Sequence, residues 1–234
     1  FFFTYTEAMA GKKGYVYGFF DLKDANEFKT VYSPMAEPTL IPYEGKFVMK
    51  HALVPAMAAK MGMKETATFG NPGMMAFMLE FPSFEKAMGW FTGPEYAAVL
   101  AKRDEVADFK MAVVEGAPKH GYVSTKMGMV IGFFDLLKPS EWPAYSANAE
   151  PTLKPYGGAF MIKYPLAPPM ADKMGLPEAK RSKGFGTTGM MAFTLMFDTF
   201  EQALAWYNGP EYAKVIPQRD DVSAFRMAVC EAMP

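Results

Sequence analysis

Three kinds of side chain recur in pairs along this chain, and together they could do chemistry: a carboxylate, a guanidinium and a phenol. Glu37 and Glu150 each stand in the string Ala-Glu-Pro-Thr-Leu. A carboxylate at the end of a helical run, facing a cleft, can bind a ligand or take up a proton. Its ordinary alternative, and the favoured one on composition alone, is a solvated charge or an ion pair. Arg103 and Arg219 each precede an aspartate, Asp104 and Asp220. A guanidinium there can grip a carboxylate ligand with two parallel hydrogen bonds, or pair with Glu37 or Glu150 and clamp the mouth of the fold, which is the reading preferred. Tyr96 and Tyr212 follow Gly-Pro-Glu and can offer a hydroxyl to a pocket, although an aromatic inside a helix more often joins the core. Glu95 and Glu211 are also paired. The spacing of Thr92-Gly93-Pro94-Glu95 predicts a capping box with Thr92 as the N-cap, so these acids receive a structural reading.

Other chemistries find no support. His51 and His120 have no repeated counterparts and no clustered Cys or acids beside them, so no metal site is expected. There is no Ser-His-Asp order, P-loop or dinucleotide fingerprint. The glycine-rich stretch Gly184 to Gly189 leads into a strand, where a phosphate cradle needs a helix. No cofactor is expected.

These pairs belong to a larger repetition. Gly18-Phe19-Phe20-Asp21-Leu22 returns at Gly132 to Leu136, Gly73-Met74-Met75-Ala76-Phe77 at Gly189 to Phe193, and Gly93-Pro94-Glu95-Tyr96-Ala97 at Gly209 to Ala213, with offsets between 113 and 116. The chain is a tandem duplication of one domain-sized unit. Boundaries are expected at 1–13 for an N-terminal extension, 14–116 for the first unit, 117–125 for a linker and 126–234 for the second unit.

Within the first unit, Tyr15 to Phe20 reads as a strand. Asp24-x-x-Glu27 opens a helix by its capping spacing. That helix carries Phe28, Val31, Tyr32 and Met35 at helical spacing, with Pro34 and Pro38 straining its later half. Lys46 to Lys50 alternates as a second strand, and Met74 to Phe81 is a third. Helices follow at Phe84 to Phe91 and from Thr92 to about Arg103, then a strand at Phe109 to Val114. Pro55 to Met63 is expected to form a short helix in the connection. The second unit repeats the order, with strands near 127–134, 159–163, 190–197 and 225–231 and helices near 141–153 and 200–218. The pattern β-α-β-β-α-β is ferredoxin-like, an α+β fold. Its strands are apolar at both parities, so each sheet needs cover on both faces. Packing the two sheets face to face as one pseudo-dimeric α/β barrel supplies it within a single chain.

The totals narrow the functional classes. The chain has 234 residues, half of them hydrophobic, and a net charge of −1, so a sizeable core is available and nucleic acid is not an expected partner. No apolar stretch reaches the ~20 residues of a membrane span. Methionine, at 21 residues, outnumbers leucine and is read as core filling. The single Cys230 cannot make an internal disulfide, is read as a buried apolar side chain, and fits a reducing compartment. The first residue is not Met, and loss of a presequence, with an organelle such as the plastid stroma as destination, is a further expectation.

The motifs Gly-Phe-Phe-Asp-Leu, Ala-Glu-Pro-Thr-Leu-x-Pro-Tyr-x-Gly, Phe-x-x-Phe-Glu-x-Ala and Trp-(Phe/Tyr)-x-Gly-Pro-Glu-Tyr, followed by Arg-Asp before the last strand, resemble the DUF1330 family. The resemblance covers about Gly14 to Ala232 in two copies. It implies a dimeric α/β barrel related in fold to stress-responsive barrels and small monooxygenases, and it implies no activity. The chain departs from the family in its fusion and in the connections His51–Pro72 and Tyr164–Thr188. Two functions compete. The first is a non-catalytic structural or interaction subunit of an organellar complex, plastid complexes included, docking other protein subunits through Phe1, Phe2, Phe3 and Tyr5, with no obligate homodimer. The alternative is a cofactor-free small-molecule binder or enzyme of the barrel type, monooxygenase- or isomerase-like, with Glu37/Glu150, Arg103/Arg219 and Tyr96/Tyr212 lining equivalent clefts.

Overall fold

The computed structural model describes residues 13–52, 74–115, 127–165 and 190–232. Among the described residues, eight strands form two sheets. The first contains β1 (Gly14–Leu22), β2 (Lys46–Ala52), β3 (Met74–Phe81) and β4 (Ala107–Glu115) in the order β2-β3-β1-β4. The second contains β5 (Gly128–Leu136), β6 (Ala159–Pro165), β7 (Met190–Phe197) and β8 (Ser223–Glu231) in the order β6-β7-β5-β8. All pairings are antiparallel. This is the expected ferredoxin-like topology, formed twice.

The strands bury both faces because their residues are apolar at both parities. In β1, Tyr15, Tyr17 and Phe19 point inward, where they meet Met129, Ile131 and Phe133 of β5 in one continuous apolar layer with Met49, Met78, Met161 and Met196. Tyr17 and Phe133 rings lie 5.4 Å apart, and Phe19 meets Phe133 edge-on at 5.8 Å. Edge strands β2 and β8 adjoin, as do β4 and β6, closing the two sheets around this layer. Several of the methionines expected as core filling are here, whereas Met35 is exposed. Cys230 lies in the same layer, with burial pushing its thiol well up. The outward residues of each sheet, Val16, Phe20 and Phe77 in the first and Val130, Phe134 and Phe193 in the second, pack under helices.

Helix and strand come unusually close at one point in each unit. A Cβ added to Gly14 would stand 2.4 Å from the Ser83 carbonyl oxygen and 2.7 Å from the Ala87 Cβ, and Gly128 meets Thr199 and Ala203 in the same way. Only glycine admits that approach. The helices concerned are Phe84–Thr92, N-capped by Ser83, and Phe200–Asn208, where Thr199 and Gln202 form a full capping box.

The first helical run differs from the regular helix expected. Asp24 caps it by accepting the Glu27 N–H at 2.9 Å. It then widens to a π-turn over Phe28–Tyr32, returns to α over Ser33–Ala36 and tightens to 3-10 over Glu37–Tyr43. The widening absorbs a residue. The offset between copies is 114 at Leu22/Leu136 and 113 at Tyr32/Tyr145, so the first copy carries one more residue here, and a π-turn is the local form of such an insertion. As a result Phe28 and Tyr32 are buried, whereas Val31 and Met35, expected beside them, are exposed. In the second unit the helix Trp142–Ala149 has no π-turn before its 3-10 segment Glu150–Tyr156.

Thr92 is not the cap expected. Gly93 takes the N-cap position of Pro94–Ala97 without a side-chain bond, while the Thr92 hydroxyl donates back to the Met88 carbonyl at 2.8 Å. The helical stretch beyond is two pieces, Pro94–Ala97 and Leu100–Val106. The connection holding Pro55–Met63, the linker 117–125, the glycine-rich stretch before β7 and the N-terminal Phe1–Tyr5 lie outside the described residues.

Because one apolar layer serves both sheets, the units are expected to unfold together. Phe133→Ala should cost about 3–5 kcal/mol and move a single urea transition, followed by Trp90 and Trp206 fluorescence alike. Two separated transitions, with the first unit unaffected, would show that the layer does not couple them.

Candidate functional site

Each unit opens one slot between its helical layer and the outer face of its sheet. The first is floored by Phe20, Phe77 and Phe109, with Phe28 and Tyr32 on one side and Trp90 and Tyr96 on the other. The second uses Phe134, Phe193 and Phe225, with Trp142 and Tyr145 facing Trp206 and Tyr212. Counting the open mouths, they measure about 500 and 530 Å³. Aromatic rings facing one another across both slots keep them narrow.

The walls are held by stacking and by satisfied polar tips. Phe20 stacks on Phe109 at 4.5 Å and on Phe28 at 4.8 Å; Phe134 does the same with Phe225 at 4.5 Å and Trp142 at 4.4 Å. Trp90 and Tyr96 rings are 4.1 Å apart, as are Trp206 and Tyr212. Each indole N–H donates to a threonine hydroxyl at 2.9 Å, Thr39 or Thr152, which in turn donates to a backbone carbonyl. A buried indole with its N–H satisfied has one orientation, so the slot wall is fixed.

A strand irregularity completes the first slot. Phe47 and Lys50 both line it, yet residues three apart on a regular strand point to opposite faces. The register of β2 on β3 shifts between Phe47 and Met49, and this bulge turns Val48 and Met49 inward and leaves Phe47 and Lys50 together outside. β6 carries the same shift between Phe160 and Ile162. The simple alternation expected of Lys46 to Lys50 therefore does not hold.

Of the residues singled out in the sequence, Glu37 and Tyr96 line the first slot and Glu150 and Tyr212 the second. Both carboxylates sit at the mouth. Glu37 accepts from Lys50 Nζ at 2.5 Å, and Glu150 from the Ser146 hydroxyl at 2.5 Å. The expected clamp between arginine and these glutamates does not form. Arg103 and Arg219 are buried behind the slots, each bound to the aspartate that follows it at 2.7 Å. The short sequence separation makes that pairing local, and burial leaves the guanidinium no reach to the mouth. Each arginine donates to its tyrosine hydroxyl at 3.2 Å, Tyr96 or Tyr212, and lies over the floor ring Phe109 or Phe225 at 5.3 and 5.2 Å. Burial pulls each guanidinium down, but the neighbouring tyrosine and aspartate outweigh it and leave both above the ordinary value. Glu95 and Glu211 accept from Tyr43 and Tyr156 hydroxyls at 2.7 Å. These bonds hold the carboxyls below, and the phenols above, their usual ranges, and they pin the 3-10 segment to the next helix. That is a structural role by another route than capping.

Two site residues went unassigned in the sequence, Tyr32 and Tyr145. Burial first, then the Tyr96 or Tyr212 hydroxyl beside each, pushes their phenols well above the ordinary value. Their signal was present: with Ser33/Ser146, Glu37/Glu150 and Thr39/Thr152 they keep one offset of 113.

Residues 13–117 match the family model "Domain of unknown function (DUF1330)". The first unit belongs to the DUF1330 family. The second repeats its topology strand for strand. Among solved structures, the crystal structure of an anthrone oxidase-like protein is similar over 96% of this chain and 92% of its own, at 10% identity and a TM-score of 0.52. A candidate monooxygenase from Fusobacterium nucleatum subsp. nucleatum covers 97% and 94% at 10% identity and a TM-score of 0.47. A mutant chlorite dismutase from Candidatus Nitrospira defluvii covers 98% and 94% at 9% identity and a TM-score of 0.43. At such identity the likeness concerns the fold. No curated protein matches the sequence. Among the described residues, no three His, Cys, Asp or Glu side chains are grouped to hold a metal ion, and no helix is long and apolar enough to cross a membrane.

The buried phenols have a pH signature. Free tyrosine ionises near pH ~10. Above that pH the unfolded chain releases protons that folded Tyr32 and Tyr145 retain, so their contribution to stability, complete below pH ~10, falls as pH rises. Absorbance at 295 nm should show these two phenols ionising only as the fold is lost. Burial first, then Glu80, holds the Tyr15 phenol up as well, so the doubly substituted Y32F/Y145F protein should lose only its own two phenols' share of the late amplitude; an unchanged late phase would place it elsewhere.

Proposed function

We propose that this chain is a small-molecule-binding protein or cofactor-free enzyme of the α/β-barrel type, with one site in each unit. The observation that carries the reading is the pair of equivalent slots, each nearly all aromatic and aliphatic, with a single glutamate at the mouth. A narrow aromatic slot favours a planar apolar ligand. Glu37 and Glu150 favour a hydrogen-bond donor on that ligand's outer edge, such as a phenolic hydroxyl, and are the groups positioned to accept its proton. Each arginine adds positive charge beneath the floor and donates to the wall tyrosine, which favours a ligand that gains negative charge.

The fold shared with the anthrone oxidase-like protein, whose name points to a polycyclic aromatic compound, supports the same class of ligand. The reading as a non-catalytic subunit drew on Phe1, Phe2, Phe3 and Tyr5 and has less support than the slots give the alternative.

The test uses 2-naphthol as the probe, followed by calorimetry and by quenching of Trp90 and Trp206. Two sites per chain are expected. Ala36 and Ala149 are half-buried residues on the slot walls, so Ala36→Phe and Ala149→Phe fill a slot without opening the core. Each should remove one site and leave the melting temperature within a few degrees. Absence of binding up to the solubility of 2-naphthol, or stoichiometry unmoved by both substitutions, would overturn the proposal.

A further inference from the structure

Outside the first slot the surface continues as a shallower groove. Phe28, Ser33, Glu37 and Lys50 line both spaces, so slot and groove are contiguous at these four side chains. The groove adds an apolar floor from Leu22, Pro34 and Met75 and measures about 900 Å³ with its open side. Lys29 stands on its wall. Among the described residues, the charged side chains that line it are Lys29, Lys50 and Glu37. Lys50 is bonded to Glu37, which leaves the positive excess at Lys29.

The second unit does not reproduce this charge. At the offset of 114 that holds through Phe28/Trp142, Lys29 corresponds to Pro143. Trp142 also brings a larger ring to the place of Phe28. The two slots therefore share a floor and a mouth acid but differ in what lies immediately outside.

We infer that the first site takes an amphipathic carboxylate, its apolar ring in the slot and its carboxylate in the groove at Lys29, while the second site takes the uncharged planar compound alone. The inference rests on the reading of the slots as ligand sites. The apolar groove floor favours a short methylene chain between ring and carboxylate, because burying each methylene removes apolar surface from water. An exposed ion pair contributes up to about 1 kcal/mol, which sets the size of the charge effect at about fivefold. Duplication in one chain allows this division of labour, since a symmetric homodimer must present the same site twice.

The test compares 4-(2-naphthyl)butanoate with 2-naphthol by calorimetry at low salt, using the full chain, K29Q and K29E. Lys29 is exposed, so these substitutions leave the fold intact. One tight site for the butanoate is expected, weakened about fivefold by K29Q, further by K29E, and also by added salt. Binding of 2-naphthol at two sites should not change. If 2-naphthol fills two sites while the butanoate ignores position 29 or fills both sites equally, the inference fails and the slot reading stands. If 2-naphthol does not bind, the slot reading fails and the inference falls with it.

Discussion

The apolar layer between the two sheets is the constraint on which the rest of the structure depends. Tyr17, Phe19, Met78, Ile131, Phe133 and Met196 fill it from both sides, and interiors packed to native density leave no room for a ligand. The inner faces are thus committed to holding the units together. Among the described residues, a site on the sheets must form on the outer faces, where a helical layer lies over each sheet. There the irregular first helical run, short of full contact with the strands, leaves the slots. Glu37 and Glu150 reach the mouths because the run ends in 3-10 turns directly above the sheet.

Much of the fold was legible in the sequence, because strands apolar at both parities, capped helices and repeated turns are local signals. The order of elements and the face-to-face sheets follow from them. The tandem offsets also carried the pairing of Glu37 with Glu150 and of Tyr96 with Tyr212. What was not legible depends on register. The bulge in β2 that brings Phe47 and Lys50 to one face leaves no mark on the alternation of Lys46 to Lys50, and the π-turn shows only as a one-residue slip between copies. The arginine clamp was misplaced for a related reason. Sequence distance cannot tell which side of a helix faces the sheet, and Arg103 and Arg219 face inward, beneath the floor rings.

The polar groups behind each slot form a chain that is costly to break. Arg103, Asp104, Tyr96 and Tyr32 satisfy one another, as do Arg219, Asp220, Tyr212 and Tyr145. A buried guanidinium persists only when so paired. Its presence twice puts a buried guanidinium, paired with its aspartate, under each aromatic floor, whereas the carboxylates stand at the exposed mouths. Differences between the units gather at the mouths, in Phe28 and Lys29 against Trp142 and Pro143, and leave the floors alike.

The most direct measurement is a crystal structure of the chain soaked with 6-bromo-2-naphthol, with bromine located by anomalous scattering. The account predicts one bromine position in each outer slot, beside Trp90 and Trp206, with the hydroxyl turned toward Glu37 and Glu150. Bromine between the sheets, or in neither slot at saturating concentration, would contradict it.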